Sequence, residues 1–568
     1  MGFGRLSTIA LLASAGVLGQ TIQKPGLTVP KTAAAHKADV VNIFNVSYTA
    51  YKKYAWGHDD LTPVSKNYTD GRNGWGASIA DAMSTMHIMN LTDFFAEAVA
   101  FTGNVDFSKS QTPDDVSVFE TSIRYLGGYL SAYELSGAKH PVLLQKATEV
   151  ADKMAFAWAG VRFSLVILVM KADWQGVQKN KIPYNTINFT TNTPVIDTTG
   201  IAGAGTLTLE YSTLSKHTGN DTYRQLAEGT VKAIMANPSP LPGLPAQGLD
   251  PTTGLPFGGY VTWGGGSDSY FEYLIKYARL TNNKDTAFVT AWKTAVDSSI
   301  KHLLRNSTVG NLLYLADYDD ENQESQKILH VGSHLACFYG GNWLMGGKLL
   351  NNQTIVNYGL QLTDACWNTY QSTLTGIGPE SFAYKSSDGS YTGGDSPTAA
   401  QLAFYEQHGF YITGSDYILR PEVLESNFYA WRVTGDQKYL DRAASAIKSI
   451  KTFLPTTVAF TGINDVNAAA SAKIDDMESF WFAEVLKYLY LTFDDPAHIN
   501  LDEWVFNTEC HPFKAPAAAK SYATTATMPE SATPFKVLPG ALPAVSPNAL
   551  LPVGVKKMMH MRRSAAHH

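Results

Sequence analysis

Apolar residues return every three or four positions over long stretches of the chain. Val116, Phe119, Ile123, Leu126, Leu130 and Tyr133 follow one another at spacings of three, four, three, four and three. That is the stripe of a helix burying one face. Thr112-Pro113-Asp114 predicts its start and Ser136-Gly137 its end. Similar stops recur at Phe101-Thr102-Gly103-Asn104, His217-Thr218-Gly219-Asn220, Leu280-Thr281-Asn282-Asn283 and Val433-Thr434-Gly435-Asp436. Gly or Asn accepts the left-handed conformation at a helix end. Some stops lie roughly 60–80 residues apart, or about twice that, the length of a helical hairpin with long connections. About six or seven such pairs fill the stretch from Asp39 to Phe513. The expected fold is all-α, built of helical hairpins with minor β-hairpin elements. Pairs that close into a ring leave a central cavity.

Two segments depart from this pattern. Residues 161–179 (VRFSLVILVMKADWQGVQK) are apolar and β-branched, without helical spacing, and too short to span a bilayer. They read as an inserted strand or loop, or as translated unspliced sequence. Residues 514–568 are rich in Ala, Pro, Ser and Thr and end in a basic run with Lys556, Lys557, Arg562 and Arg563. They read as a disordered tail.

Residues 1–19 read as a signal peptide: Arg5, an apolar run at 9–18, then small residues before Gln20. An uncleaved anchor is the alternative, but the run is shorter than a membrane span needs. Seven sequons, at Asn45, Asn67, Asn90, Asn188, Asn220, Asn306 and Asn352, fit N-glycosylation in the secretory pathway, secreted or in the ER or Golgi lumen. A net charge of −6 argues against nucleic acid as a partner. Of three cysteines, Cys337 and Cys366 are expected to pair across a short loop, leaving Cys510. No CxxC or clustered Cys/His pattern suggests zinc.

Charged residues are only 17% of the chain, so acids among apolar neighbours stand out. They are Glu120, Asp268, Glu422, Glu425 and Glu484, joined by Thr508 and Glu509. Such a carboxylate must be paired, bound to a cation or facing a wet cavity. Several on one cavity suit acid/base hydrolysis. Each also has a plain structural reading. Glu120 and Arg124 are spaced as a surface ion pair, although Gly127, Gly128 and Ser131 on the same face suit close helix packing or a cavity wall. Asp268 follows Gly264–Gly266 and Ser267 as an N-cap would. Glu422 and Glu425 suit the first turn after Pro421, with Arg420 available to neutralise one of them. His334 reads alone as a core histidine and Thr508 as a turn residue.

Together the blocks YAWGHDDLTPVS, GWGASIADAM, VFETSIRYLGGYLSAYELSG, GGGSDSYFEYLIKY, HLACFYGGNWLMGGK, GIGPESFAY, YILRPEVLESNFYAWRVTGD, ESFWFAEVLKYLYLTFDD and EWVFNTECHPF resemble glycoside hydrolase family 47, the class I α-1,2-mannosidases, in its fungal secreted and Golgi-type branch. The resemblance implies an (α/α)7 barrel over residues 36–513, bound Ca2+, and inverting hydrolysis of terminal α-1,2-linked mannose from high-mannose N-glycans by a monomer. By motif, Glu120 is similar to the general acid, with Asp268 also on the acid side, and Glu422 to the base. Thr508 resembles the calcium ligand, binding through hydroxyl and carbonyl. Glu210, Glu425, Glu484 and Glu509 match acids that hold the metal's waters or the substrate. Arg124, His334, Arg420 and Phe480 match the mannose subsite, and the Cys337–Cys366 bridge fits the family pattern.

Departures are Cys510 where a small residue is usual, Ser333 where some members carry Asp, and the insertion at 161–179. Gly266 stands where members of narrow specificity carry a bulky Arg, which implies trimming of several α-1,2 mannoses. Two alternative readings are a mannosidase-like lectin for misfolded glycoproteins and a glucoamylase-like hydrolase on another helical toroid.

Overall fold

The computed structural model describes residues 19–160, 180–321, 326–529 and 531–541. The signal peptide, except Gly19, and the insertion at 161–179 lie outside the described residues.

Fourteen helices make the body: α1 (Ala33–Tyr54), α2 (Ala77–Ile88), α3 (Thr92–Thr102), α4 (Gly127–Leu135), α5 (Pro141–Met154), α6 (Thr208–Thr218), α7 (Thr222–Ala236), α8 (Asp268–Leu280), α9 (Thr286–His302), α10 (Tyr339–Leu349), α11 (Gln353–Gln371), α12 (Glu422–Thr434), α13 (Gln437–Phe453) and α14 (Leu486–Phe493). The even-numbered helices form an inner ring. Each packs on the next, and the π-helical turn ahead of α14 returns to α2. Every inner helix is backed by an outer one, α2 by α3, α4 by α5 and so on, while α14 pairs with α1. The result is a closed (α/α)7 barrel.

Composition sorts the two layers. Inner helices are buried on every side: Ser269 to Arg279 of α8 and Val423 to Val433 of α12 are all buried. Outer helices are amphipathic. In α13, Tyr439, Leu440, Ala443, Ala446, Ile447 and Ile450 face inward and the lysines between them face water. Short antiparallel strands, none longer than four residues, sit in the connections.

Three of the four expected stops adopt the left-handed turn, at Gly219 (φ +74°), Asn282 (+58°) and Gly435 (+67°). Gly103 does not: its φ is −59°, and α3 ends in a tighter turn. The helix expected from Thr112 starts later, because Val116 and Ser117 pair as a strand with Ile187 and Thr186. Ser117 then caps Glu120, accepting its N–H at 3.2 Å. Gly127 and Gly128 serve close packing. A Cβ at Gly127 would meet the Asn507 amide at 2.7 Å, and one at Gly128 the Ala80 carbonyl at 2.6 Å.

Cys337 and Cys366 are disulfide-bonded, tying the start of α10 to α11, and Cys510 is free and buried. Among the sequon asparagines, Asn67, Asn90 and Asn306 are exposed, and Asn45, Asn188, Asn220 and Asn352 are half-buried. No described helix is long and apolar enough to cross a membrane.

The expected disorder of residues 514–568 does not describe their first half. Tyr522 is fully buried, and its hydroxyl bonds Asn282. Further on, Met528 N–H donates to Thr294 Oγ1 (3.0 Å) and Gly258 N–H to the Leu538 carbonyl (2.8 Å). Composition pointed to a loose chain because it averages over one anchoring aromatic.

Candidate active site

The acids singled out in the sequence gather at one end of the barrel, at the N-terminal ends of inner helices. Asp268 opens α8 and Glu422 opens α12, with Glu425 one turn on. Glu210 is the third residue of α6. Glu120 lies in the short helix Val118–Thr121 leading to α4, and His334 just before the 3-10 turn leading to α10. The partial positive charge of a helix N-terminus favours carboxylates there. Two π-helical turns carry site residues: Ser122–Leu126 holds Arg124 and Trp481–Val485 holds Glu484. Such bulges re-aim side chains at functional sites, and a 3.6-residue pattern does not reveal them.

Thr508 and Glu509 arrive from elsewhere, in the turn between strands Trp504–Phe506 and Pro512–Lys514. This hairpin closes the barrel from within. Asn507 Nδ2 donates to the Ile123 carbonyl (3.0 Å) and Glu210 Oε1 (2.8 Å). His511 contacts Ser84 (3.0 Å) and Asp81 (3.2 Å), and Lys487 Nζ donates to the Cys510 carbonyl (2.6 Å). Cys510 holds φ +56° beside Glu509, and Leu419 holds +70° beside Arg420. For Leu this is a strained backbone, of the kind kept at functional sites.

A cavity of ≈ 480 Å³ is lined by Glu120, Arg124, Asp268, Arg420, Glu422, Phe480, Glu484, Thr508 and Glu509. His334, Glu210 and Glu425 stand behind this wall. His334 Nδ1 lies 2.7 Å from Glu422 Oε2. Glu210 Oε1 accepts from the Tyr273 hydroxyl (2.6 Å), which itself accepts the Thr508 N–H (3.2 Å). Glu425 lies 3.8 Å from Lys276 Nζ.

The plain readings give way in specific places. Glu120 and Arg124 are an ion pair at 2.8 Å, but only 7% and 4% exposed, so they are not a surface pair. Arg124 also reaches Glu509 (2.6 Å) and Asp81 (3.3 Å) and sits over the Phe480 ring. Asp268 is the first helical residue, not the cap, and accepts the Ser269 N–H at 2.9 Å. Arg420 donates to Glu380 (2.6 and 2.8 Å), not to Glu422 or Glu425.

Proton affinities divide the carboxyls. Burial pushes Asp268 up to about 7, with help from the charges of Glu272 and Glu422. Burial also acts on Glu422, but His334's hydrogen bond and the charges of His334 and Arg420 overcome it and leave Glu422 lowered. Glu120 is likewise lowered: Arg124 and Arg72 outweigh burial. Burial raises Glu210 to about 7, and burial with repulsion from neighbouring acids raises Glu425 (beside Glu272 and Glu422), Glu484 (beside Glu509 and Glu422) and Glu509 (beside Asp81 and Glu120). Glu210 Oε2 is buried without a hydrogen-bond partner. Among the described residues, no three His, Cys, Asp or Glu side chains converge as a metal cluster.

Sequence reasoning missed Arg72, Glu380 and Glu478. Arg72 and Glu478 line the cavity, and Glu380 holds Arg420. All three sit outside regular helices among polar neighbours, where no periodicity marks them. Glu380 and Glu478 had one signal, membership of the blocks quoted above; Arg72, two residues ahead of GWGASIADAM, had none.

The sequence model of Glycosyl hydrolase family 47 matches residues 43–515. Mannosyl-oligosaccharide alpha-1,2-mannosidase 1B of Aspergillus phoenicis is 38% identical over 86% of this chain and 94% of its own. Mannosyl-oligosaccharide alpha-1,2-mannosidase of Coccidioides posadasii is 38% identical over 85% of this chain and 91% of its own. The solved alpha-1,2-mannosidase of Trichoderma reesei superposes with TM-score 0.78 at 34% identity, over 85% of this chain and 99% of its own. A match over most of the chain, a shared fold and a cavity ringed by carboxyls of opposite tuning lead to one conclusion: the chain belongs to glycosyl hydrolase family 47, a family of glycosidases.

Proposed function

We propose that this chain removes terminal α-1,2-linked mannose from high-mannose N-glycans by inverting, calcium-dependent hydrolysis during glycoprotein processing. The observation that carries the reading is the contrast across one cavity between Glu422, held ionised, and Asp268, which keeps its proton to about pH 7. Carboxyls pushed apart in this way divide into base and acid. The printed names of the relatives support the linkage and the sugar.

In the proposed reaction Glu422 takes a proton from a water, whose oxygen attacks the anomeric carbon. The bond to the leaving oxygen breaks on the opposite face, and that oxygen receives a proton from the acid side. Asp268 supplies the proton; Glu120, ionised between Arg124 and Arg72, orients the water that carries it. Inversion needs roughly 6.5–9.5 Å between base and acid carboxyls to admit the attacking water. His334 fixes Glu422, the charge of Arg420 favours its ionised form, and Phe480 offers an apolar face to the sugar.

The oxygen-rich surroundings of Thr508 fit calcium. Thr508 would hold the ion through its hydroxyl and carbonyl, and Glu210, Glu425, Glu484 and Glu509 would accept hydrogen bonds from the ion's waters. The unpartnered Glu210 Oε2 and the carboxyls raised by burial and neighbouring acids are what a nearby dication relieves. When bound, calcium supplies coordination for sugar hydroxyls. Gly266 lines the cavity at φ +89°, where a side chain would be strained, and the open space suits trimming of several mannoses. The apolar N-terminal run and the sequons support work in the secretory pathway, in a lumen or outside the cell.

The test is release of free mannose from a high-mannose N-glycan by the purified full chain, with calcium and with excess EDTA. Calcium-dependent release that stops once α-1,2 linkages are gone is expected. Glycan binding without release at any calcium concentration overturns the enzymatic reading in favour of the lectin.

A further inference from the structure

We propose that Arg72 is a substrate-positioning residue: it fixes Glu120 and Glu478 at the cavity wall and offers Nε–H to a hydroxyl oxygen bridging it to Glu120. This rests on the mannosidase reading for the identity of the sugar, and on the geometry for the rest.

Arg72 is held from every side but one. Its N–H donates to Asp59 Oδ2 (2.7 Å), and its carbonyl accepts from the Tyr125 hydroxyl (2.9 Å). Asp59 fixes the following turn as well, accepting the N–H groups of Gly74 (2.7 Å), Gly76 (3.1 Å) and Ala77 (3.0 Å) and the Tyr125 hydroxyl (2.9 Å). The guanidinium is then clamped at its two ends, Nη1 on Asp60 (2.7 Å) and Nη2 on Glu478 (2.5 Å). Arg72 is only 6% exposed, yet it lines the cavity.

Nε is the exception. It is buried and has no hydrogen-bond partner. Glu120 Oε2 lies 3.8 Å away, beyond a direct bond, and already accepts from Arg124 Nε at 2.8 Å. A buried donor left unmade is costly, and a gap of this size between polar groups calls for a bridging oxygen. A guanidinium only donates and a carboxylate only accepts, whereas a hydroxyl does both. A hydroxyl between them accepts from Nε–H and donates to Oε2. Water takes this place in the free enzyme and a mannose hydroxyl in the complex. Lysine cannot reproduce the arrangement, since one ammonium cannot span Asp60, Glu478 and the bridge together.

The experiment compares the full-length chain with Arg72→Lys and Glu478→Gln. Each is assayed for glycan Kd by calorimetry with calcium present, for kcat and KM, and for Tm. Arg72→Lys keeps the charge but gives up a clamp on Asp60 or Glu478, so a lowered Tm is expected, and in the folded variant Kd and KM weakened about tenfold or more, as for loss of a charged hydrogen bond. Glu478→Gln, whose amide oxygen still accepts from Nη2 but without the charge, loosens that clamp while leaving Arg72 in place; it is expected to weaken both in the same direction and serves as the test if Arg72→Lys fails to fold. Parental Kd and KM in the folded variants overturn the proposal and leave Arg72 a structural cation. Should the parent bind glycan without cleaving it, the hydrolytic reading fails, while Kd still decides the role of Arg72.

Discussion

His334 bridges two chain segments through its two ring nitrogens: Nδ1 lies 2.7 Å from Glu422 Oε2 and Nε2 lies 2.7 Å from the Tyr370 hydroxyl. Tyr370 belongs to α11, His334 precedes α10, and Glu422 opens α12. One imidazole thus orients the carboxylate assigned as base from the outer layer of the barrel.

Two substitutions separate the parts of that unit. Glu422→Gln keeps the shape and should lower kcat by about 10²–10⁴-fold, the usual contribution of a general base, with glycan binding retained. A near-normal rate would refute the assignment. His334→Gln leaves Glu422 in place and removes the partner that lowers it. A lowered carboxylate is active above its pKa and loses activity as pH falls through it. Without His334, burial prevails, so the acid limb of kcat/KM should move to higher pH. An unmoved acid limb counts against the link.

In the proposed mechanism Asp268 sets the other limb. Its pKa is raised to about 7, chiefly by burial, so the protonated form needed by an acid disappears as pH rises through neutrality. Activity should fall on the alkaline side with an inflection near 7. Asp268→Asn should abolish that limb along with most of the rate. An alkaline limb that persists in Asp268→Asn assigns the proton to another group.

Chelation should have a signature independent of turnover. Burial and repulsion raise Glu210, Glu425, Glu484 and Glu509 above ordinary carboxylates. The folded metal-free protein therefore binds more protons than the unfolded chain between their ordinary and raised pKa values. Its stability falls as pH climbs through that window. A dication offsets the same repulsion, and ligand binding to the native state alone raises stability. The Tm gain from calcium over EDTA should grow from pH 5 to pH 8. A gain that is absent or flat with pH argues against calcium near these acids.

How much of this was legible in the sequence differs between fold and site. Stripes such as Val116 to Tyr133 and stops at Gly219, Asn282 and Gly435 are local, and local pattern is enough to read helical pairs. Ring closure is not local, since it depends on α14 meeting α1 and the π-helical turn ahead of it meeting α2. The acids Glu120, Asp268, Glu422 and Glu484 were visible as charges among apolar neighbours, because burying them needs a reason. That they share one cavity appears only when the ring closes. Arg72, Glu380 and Glu478 gave no such contrast, lying in polar loops. In the described part of the tail, residues 514–529 and 531–541, composition misled for the opposite reason: a single tyrosine outweighs the composition around it.

That tyrosine gives a direct test of the tail. Tyr522 is fully buried, its hydroxyl bonds Asn282 and accepts the Ala519 N–H (3.2 Å), and Asn282 also accepts that N–H (2.7 Å) and donates to the Ala517 carbonyl (2.7 Å). The Ala519 carbonyl accepts the Gln20 N–H at 2.8 Å. Lys520 lies inside this knot. Proteases cut chain that opens locally, so a bond next to a buried anchor resists until the anchor detaches. Trypsin should therefore cleave after Lys520 slowly in the parent. Tyr522→Ala removes a buried aromatic worth about 3 kcal/mol where packing is close, and should speed that cleavage by more than tenfold while cuts at sites on the barrel stay unchanged. Equal rates in parent and variant, followed by mass spectrometry, would mean that the tail is already free and that Tyr522 anchors nothing.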